Sequence, residues 1–270
     1  MSNLLIPTLT DATLTLENGV ATFTMARDDV RNALTGTALV DDFLMTADWI
    51  DHTPEVSVLI ITGAGRAFSA GGNIHDMAKQ AGDFAGTVAE LEDRYRHGIQ
   101  RLPKVMHTLE VPVIAAVNGS AVGAGFDLAN MADMRIAAES ARFGETFLNL
   151  GIIPGDGGAW FLQRLVGYQR ACELTFSGRM IDAQEALAIG LVLEVVPDDD
   201  LMPRAQALAS HIAQQPAKAT RLTKRLLKLA QRTELPDFLD ICAAFQGICH
   251  HEPDHLASVQ RLLESMKRKG

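Results

Sequence analysis

The chain has 270 residues, 47% of them hydrophobic, so it can bury a large core as one domain or as a domain with a smaller terminal piece. Its 24 basic and 33 acidic side chains leave a formal net charge of -9, which disfavours binding to nucleic acid or an anionic membrane. Cys172, Cys242 and Cys249 form no CxxC pair, so neither a disulfide framework nor a zinc site is indicated.

The amino-terminal residues carry no basic segment before their apolar residues, and no run approaches about 18 uninterrupted apolar residues. We therefore expect a soluble, unprocessed protein with no membrane partner. The unpaired cysteines fit a reducing compartment, so a cytoplasmic location is predicted.

The first predicted element is a β-hairpin. Residues 13–17 and 20–25 alternate in hydrophobicity, and Asn18-Gly19 between them favours the positive φ angles of a two-residue turn. A helical pattern over about 35–51 then leads into a strand at 56–62, which begins an alternation of helices and strands.

The middle of the chain continues this alternation. The pattern predicts a helix over roughly 86–109, a strand at 113–117, a short helix at 124–129 and a strand at 134–138. Strands that follow helices favour parallel pairing. Beyond this point the pattern is mainly helical, apart from a strand-like run at 191–196.

The carboxy-terminal part is predicted to form helices at about 201–214, 217–231, 236–250 and 253–267. The last helix carries an apolar stripe formed by Leu256, Val259, Leu262, Leu263 and Met266. The stripe is wide enough to pack but too short for a long coiled coil. It fits a contact with another copy and packing within the chain equally well.

Two glycine-rich loops each follow an apolar, strand-like run. The first is GAGRAFSAGGN at 63–73, and the second is NGSAVGAGFDLA at 118–129. Small residues let backbone amides approach a ligand, and two converging N–H groups can stabilise the oxygen of a thioester that becomes an enolate. The alternative is that the glycines only make tight turns between strands and helices.

Other nucleotide or hydrolase motifs do not fit these loops. Phe68 stands where a dinucleotide-binding fingerprint needs its third glycine. Ser69 and Ser120 lack the flanking glycines of a nucleophile elbow, and the sequence contains no GxxxxGK[ST] phosphate loop.

Six segments carry a resemblance to a known family: RNAL at 31–34, LIITGAGRAFSAGGNI at 59–74, PVIAAVNGSAVGAGFDLA at 112–129, ARFGETFLNLGIIPGDGGAWFLQRLVG at 141–167, LTFSGRMIDAQEALAIGLVLEVVP at 174–197 and DHLASVQRLLESMK at 254–267. In this order they resemble the crotonase family, also called the enoyl-CoA hydratase/isomerase family, over nearly the whole chain.

The resemblance implies an α/β fold, a crotonase-like spiral of ββα units. Residues 1–197 would form the spiral core domain with the acyl-CoA site, and residues 198–270 a helical region used for oligomerisation. The implied assembly is a homotrimer or a dimer of trimers. The implied partner is an acyl-CoA substrate, which carries coenzyme A as part of its thioester, so no separate cofactor is expected.

The resemblance also places the binding residues. The two amides that hold the thioester oxygen fall on Gly72 and Ala124, and coenzyme A contacts fall on Ala70, Gly72, Asn73, Ile74 and His75. Family members often have Asp and Lys where this chain has Asn73 and His75, so these contacts are expected through the backbone.

The coenzyme A phosphates need local cations because the protein is acidic. Arg31, Arg66 and Lys267 are the candidates for this role. The alternative is that each of the three is an ordinary charged side chain exposed to solvent, with no role in binding.

The acids of the second loop and of the segment 141–167 depart from the family pattern. Hydratases of the family use two glutamates to activate water. Asp127 occupies the first position and can serve as a base, whereas Phe147 occupies the second and cannot transfer a proton. Glu145 and Asp156 lie near this gap, and in some isomerases of the family an aspartate one position before Asp156 acts as the base.

A phenylalanine at this position also makes the pocket drier. Dryness raises the pKa of a remaining buried acid and disfavours a water nucleophile, which favours proton transfer. We therefore expect an acyl-CoA enzyme that works through a thioester enolate, by hydration or double-bond isomerisation. The alternatives are thioester hydrolysis, decarboxylation or non-catalytic acyl-CoA binding.

Two further segments contain residue types found in functional sites. The histidines of HHEPDH at 250–255 are interpreted as a polar turn and not as a metal site, because Pro253 interrupts the helix that would align His251 with His255. The variable segment 76–106 contains Phe84, Tyr95, His97 and Met106, which could line the acyl pocket or belong to the core.

Overall fold

The computed structural model describes residues 5–269. Its strands, in chain order, are β1 (Ala12–Glu17), β2 (Val20–Met25), β3 (Val58–Gly63), β4 (Ala67–Ser69), β5 (Val113–Val117), β6 (Ser120–Val122), β7 (Met134–Ala138), β8 (Arg142–Gly144), β9 (Met180–Asp182) and β10 (Glu194–Val196).

The helices, in chain order, are α1 (Leu39–Asp51), α2 (Ile74–Lys79), α3 (Val88–His97), α4 (Arg101–Thr108), α5 (Ala124–Met131), α6 (Gly158–Val166), α7 (Tyr168–Ser177), α8 (Ala183–Ala188), α9 (Leu201–Ala213), α10 (Ala217–Leu229), α11 (Leu235–His251) and α12 (Pro253–Lys269). Short 3-10 helices cover Asp28–Val30, Gly82–Phe84, Thr146–Leu150 and Asp198–Asp200.

The strands form two sheets, and from β3 to β8 successive strands alternate between them. One sheet has the order β1-β2-β3-β5-β7-β10, and the other has the order β4-β6-β8-β9. Only the β1–β2 and β8–β9 pairs are antiparallel. The chain passes from β3 to β4 and α2, from β5 to β6 and α5, and from β7 to β8 and α6. This repetition is the predicted spiral of ββα units within an α/β fold.

The β1–β2 hairpin confirms the sequence prediction. Glu17 pairs with Val20, and the turn residues Asn18 and Gly19 have φ angles of 50° and 82°. Positive φ at both positions matches the right-handed twist of the flanking strands.

The central strands are buried on both faces, which explains their almost continuous apolar sequences. In β3, Leu59 and Ile61 face the main hydrophobic core, whereas Val58 and Ile60 face a second cluster that includes Leu201 of α9. Helix α9 therefore covers one face of the six-stranded sheet. The predicted division of the chain after residue 197 stays a prediction.

The helix predicted over 86–109 is two helices. Helix α3 ends at His97, and Gly98 has φ -107° and ψ -111°, after which α4 begins at Arg101. The glycine leaves the helical conformation, so the chain changes direction between the two helices. This break matters for function because both α3 and the turn after it lie beside the cavity described below.

The four carboxy-terminal helices are present as predicted. The apolar stripe of α12 is exposed on the single chain, with Leu256 at 61% and Leu262 at 56% of their full accessibility. Within the described part of the chain, no helix is both long enough and apolar enough to cross a membrane.

Candidate active site

The first glycine-rich loop is braced by the segment RNAL at 31–34. The Ala70 N–H donates to the Arg31 carbonyl (2.9 Å), and the Leu34 N–H donates to the Gly71 carbonyl (2.7 Å). Between them, Asn32 is fully buried with φ 53°. These bonds fix the loop backbone, which gives the motif a structural function.

The Asn32 side chain holds the start of the same loop. Its amide donates to the carbonyls of Ala64 (3.0 Å) and Ala67 (2.9 Å), and its oxygen accepts from the Arg27 N–H (2.9 Å). The buried amide is therefore fully used as a donor, which is the condition for burying such a group without a large cost.

The two glycine-rich loops touch through their backbones. A β-carbon on Gly71, which has φ 75°, would lie 2.5 Å from the Val122 carbonyl oxygen and 2.8 Å from the Ala124 nitrogen. A β-carbon on Gly125 would overlap the backbone of Ser69. Only glycine permits this approach, so these two glycines bring the loops together.

The predicted amides, those of Gly72 and Ala124, border the same cavity. Ala124 is the first residue of α5, so its N–H has no acceptor within the helix. Neither N–H has a hydrogen-bond acceptor within residues 5–269. The positive end of the α5 dipole adds to the attraction for an oxygen that carries negative charge.

The cavity has a volume of about 250 Å3 and largely apolar walls. The walls include Met77, Phe84, Tyr95, Ile99, Phe147 and Ile152. Three of the side chains considered for the acyl pocket, Phe84, Tyr95 and His97, border it. Met106 does not, because it is 1% exposed and belongs to the hydrophobic core.

The residues expected to contact coenzyme A follow the first loop. Asn73 caps the short helix α2: its side-chain oxygen accepts from the N–H groups of His75 (3.0 Å) and Asp76 (3.4 Å). Ile74 is 56% exposed, and His75 is also exposed. The Asn73 side chain therefore stabilises the helix start.

The candidate phosphate-binding cations are separated along the chain. Arg31 and Arg66 are exposed, and the carbonyl of Arg66 lies against Gly119 of the second loop. Lys267 is on α12, which packs against α11. Arg66 thus lies in the first loop where its backbone contacts the second loop, and Lys267 lies on the carboxy-terminal helix pair.

The three candidate acids come from three different elements and meet in the interior. Asp127 lies on α5, Glu145 follows β8, and Asp156 precedes α6; their exposed fractions are 0%, 0% and 3%. A β-carbon on Gly158 would overlap both Oδ1 of Asp127 and Oε1 of Glu145. Glycine at this position therefore lets the carboxyl groups approach one another.

Only Asp156 of the three borders the cavity. Asp127 lies within hydrogen-bonding reach of both Asp156 and Glu145. The loop that carries Asp156 is fixed by Gln100, whose amide donates to the Gly155 carbonyl (2.8 Å). Reasoning from the sequence missed Gln100 and Gly158, although the Gly157-Gly158 pair was a signal for a close approach.

The acids lack ordinary hydrogen-bond donors. Within the described residues, no N–H or hydroxyl group donates to either oxygen of Asp127 or Glu145, nor to Oδ1 of Asp156. One of these acids can donate to another only when it is protonated. The close approach of three buried carboxyl groups therefore favours a proton within the cluster.

Burial raises the pKa of Asp127 well above its usual range, and the neighbouring Asp156 and Glu145 raise it further. Burial raises the pKa of Glu145 to about 7, against the effect of its hydrogen bond with Asp127. Burial also raises the pKa of Asp156, which the bond with Asp127 opposes. Burial and the two neighbouring carboxyl groups thus favour the protonated form of Asp127.

Phe147 forms part of the cavity wall and is half-buried. The family's second glutamate was expected at this position, so the wall that would hold a water molecule is apolar. Tyr95 lies near Asp156. Burial raises the pKa of the Tyr95 hydroxyl, and the negative charge of Asp156 raises it further.

The carboxy-terminal histidines lie at a junction between helices. Helix α11 ends at His251, Glu252 is extended (ψ 137°), and α12 begins at Pro253. His250 and His255 contact each other at 3.1 Å. Within the described range, no group of three His, Cys, Asp or Glu side chains is arranged to hold a metal ion.

Comparison with known proteins agrees with this architecture. The enoyl-CoA hydratase/isomerase family model matches residues 15–269. The chain therefore belongs to the enoyl-CoA hydratase/isomerase, or crotonase, family, as the sequence resemblance predicted.

The relatives include both hydratases and an isomerase. The chain is 35% identical to a probable enoyl-CoA hydratase of Rhodobacter capsulatus, over 92% of this chain and 93% of that protein. It is 34% identical to the 1,2-epoxyphenylacetyl-CoA isomerase of Escherichia coli, with the same two coverages. The crystal structure of an enoyl-CoA hydratase from Bacillus anthracis aligns with TM-score 0.88 and 33% identity, over 95% of this chain and 97% of that one.

Proposed function

We propose that this enzyme binds an unsaturated acyl-CoA and moves its double bond by proton transfer through a thioester enolate. The observation that carries the proposal is that Asp156 and Phe147 border one cavity with the Gly72 and Ala124 amides. One acid, two available N–H groups and an apolar wall suit proton transfer better than water attack.

In the proposed reaction, the thioester oxygen accepts hydrogen bonds from the N–H groups of Gly72 and Ala124. The Asp156 carboxylate removes a proton from the α-carbon of a β,γ-unsaturated thioester, and the electron pair of that C–H bond moves towards the thioester oxygen. Protonated Asp156 then returns the proton to the γ-carbon, so the double bond ends between the α- and β-carbons and no water is consumed.

Asp127, which its motif position predicts to be the base, has a supporting role in this proposal. It is fully buried behind Asp156 and within hydrogen-bonding reach of it. A proton on Asp127 stabilises ionised Asp156, so the two aspartates act together. Glu145 is also buried close to Asp127 and does not border the cavity.

Hydration of an enoyl-CoA is the second candidate. It is favoured by the presence of an acid, Asp127, at the first glutamate position of the hydratases and by the hydratase relatives. Phe147 is the observation against it, because the second carboxyl group that would orient the water is missing.

A panel of thioesters tests the proposal. A 3-enoyl-CoA, a 2-enoyl-CoA, a saturated acyl-CoA and a carboxyacyl-CoA are each incubated with the enzyme, and the products are followed by mass spectrometry and NMR spectroscopy. Isomerisation leaves the mass unchanged and moves the double bond. A gain of water indicates hydration, release of coenzyme A indicates hydrolysis, loss of carbon dioxide from a carboxyacyl-CoA indicates decarboxylation, and no change indicates a binder.

The nucleotide end of coenzyme A is proposed to lie along Ala70, Asn73, Ile74 and His75, with Arg31 and Arg66 near its phosphates. The exposure of Ile74, His75, Arg31 and Arg66 and the partial exposure of Ala70 and Asn73 support this placement. Coenzyme A then arrives and leaves with the substrate, and no separate cofactor is proposed.

The assembly is proposed to be a homotrimer or a dimer of trimers formed through residues 198–270. The exposed apolar stripe of α12 supports a contact with a second copy, and α11 has no buried residue on the single chain. Light scattering after size-exclusion chromatography tests the assembly: a trimer or hexamer is expected, and a Leu262→Lys variant should dissociate. A monomeric wild-type protein would contradict it.

A further inference from the structure

Glu145 is buried close to Asp127 and does not border the cavity. It is 0% exposed, and the residues that border the cavity include Asp156 but not Glu145. Substrate that binds in the cavity therefore meets Asp156 and does not meet Glu145.

Among the described residues, no backbone or hydroxyl donor and no cation stabilises a negative charge on Glu145. Within the part of the chain that the structure describes, neither carboxyl oxygen accepts from an N–H or hydroxyl group, and no cation pairs with it. A buried carboxylate without a donor is strongly destabilising. The group within reach that can donate to it is the protonated carboxyl of Asp127.

Asp127 also lacks an N–H or hydroxyl donor within the described residues, and its two neighbours are the carboxyl groups of Asp156 and Glu145. The titratable groups that face the cluster are Asp127 from α5, Glu145 after β8, Asp156 before α6 and the hydroxyl of Tyr95 from α3. Among the first three, which are carboxyl groups, one can donate to another only when it holds a proton. Asp127, which is within reach of both others, is the carboxyl group best placed to hold one.

We propose that Glu145 is a positioning residue: its carboxylate accepts a hydrogen bond from protonated Asp127, which keeps Asp127 uncharged and leaves Asp156 as the carboxylate that faces the substrate. This inference rests on the proposed function, because it explains how one cavity acid is kept ready for proton transfer. The absent side chain of Gly158 permits the contact between Glu145 and Asp127.

The sign of the effect follows from electrostatics. The negative charge of Glu145 disfavours ionisation of Asp127 and therefore raises its pKa. In Glu145→Gln, that charge is removed, and the new amide can donate to an ionised Asp127 and stabilise it. Both changes lower the pKa of Asp127, whereas a side chain that only fills space would leave it unchanged.

The test measures protonation directly and without substrate. Infrared spectra of the full-length protein, isotope-labelled at aspartate, report the carbonyl band of a protonated carboxyl group across a pH titration. The wild-type protein should show this band at neutral pH, and Asp127→Asn should remove it. In Glu145→Gln the midpoint of its loss should move to lower pH, with at least a tenfold weaker proton affinity.

Two controls accompany the variant. Glu139→Gln makes the same chemical change at an exposed position and should leave the band unchanged. Glu145→Asp retains a carboxylate acceptor, and its midpoint should lie nearer the wild type than that of Glu145→Gln. In kinetics, Glu145→Gln should move the alkaline limb of kcat/KM to lower pH with little change in KM.

An unmoved or raised midpoint in Glu145→Gln would overturn the inference. If that variant does not fold, the wild-type titration still decides, because the absence of a protonated aspartate at neutral pH contradicts the proposal. The titration contains no acyl-CoA, so its result is independent of whether the enzyme isomerises its substrate. Loss of isomerisation with an intact titration would instead count against the proposed function.

Discussion

Asp156 borders the cavity, and fully buried Asp127 lies behind it within hydrogen-bonding reach. The acid that can touch the substrate and the acid that the family motif identifies are therefore different residues. Proton transfer at the cavity then depends on how the protons are distributed between them.

The first prediction concerns Gly158, which lets the acids approach one another. Gly158→Ala places a β-carbon onto Asp127 and Glu145, so the carboxyl groups have to move apart. We expect the free energy of unfolding in urea to fall by about 2 kcal/mol, and turnover to fall with it. Gly247→Ala is the matched control on α11, where an added β-carbon meets nothing within 4 Å. Equal unfolding free energies for the two variants would contradict the crowding described here.

The second prediction concerns stability and pH. Burial raises the pKa of Glu145 from 4.5 to about 7, so the folded protein binds a proton that the unfolded chain releases at lower pH. The free energy of unfolding therefore decreases as the pH rises through this window, by about 3 kcal/mol from Glu145 alone. Burial of Asp127 and Asp156 acts in the same direction.

Urea unfolding of wild type and Glu145→Gln across this window measures the effect. The variant should lose less stability as the pH rises, because the titrating group has been removed. Identical pH dependence in both proteins would show that Glu145 has an ordinary pKa in the folded state.

The third prediction concerns the apolar wall. Phe147→Glu introduces a carboxyl group at the position where the hydratases of the family have their second glutamate, and this group can orient a water molecule. We expect the ratio of hydrated to isomerised product from an enoyl-CoA to rise at least tenfold. Phe147→Leu keeps the wall apolar and should leave the ratio near that of the wild type. If Phe147→Glu left the ratio unchanged, the apolar side chain at this position would not decide between hydration and isomerisation.

The fourth prediction concerns the contact between the two loops. Gly125→Ala forces α5 away from the backbone of Ser69 and so displaces the Ala124 amide from that of Gly72. Loss of one such donor typically lowers kcat about 100-fold. Steady-state kinetics on an enoyl-CoA provide the measurement, with Gly247→Ala again as the control. If Gly125→Ala retained the wild-type kcat, the paired amides of Gly72 and Ala124 would not contribute to catalysis.

The fifth prediction concerns the nucleotide end of the substrate. Arg66→Gln should raise KM for an enoyl-CoA several-fold, since a charged contact with phosphate contributes about 1 kcal/mol or more. KM for the corresponding thioester of N-acetylcysteamine, which lacks the phosphates, should not change. An equal rise for both thioesters would indicate that Arg66 supports the loop and not the phosphates.

The overall fold could be predicted because its signals are local. The Asn18-Gly19 turn, the apolar runs of β3 and β5 and the glycine-rich loops each determine structure within a few residues. The break at Gly98 was missed because helical periodicity continues on both sides of it. The position of Met106 was also undetermined, since an apolar residue on a helix fits a core or a pocket equally well.

The acid cluster could be predicted only as a set of candidates. Asp127, Glu145 and Asp156 were identified from their closeness to the family motifs, but their meeting depends on three separate elements packing around Gly158. That packing also decides that Asp156 borders the cavity whereas Asp127 and Glu145 do not. The sequence pattern of a single element does not contain this information about contacts between elements.

The most direct test of the central claim is the product formed from a 3-enoyl-CoA by wild type and by Asp156→Asn. The account predicts that the wild-type product has unchanged mass and a 2-enoyl double bond, and that kcat in Asp156→Asn falls at least about 100-fold while the substrate still binds. A hydrated or hydrolysed product, or wild-type turnover in Asp156→Asn, would contradict it.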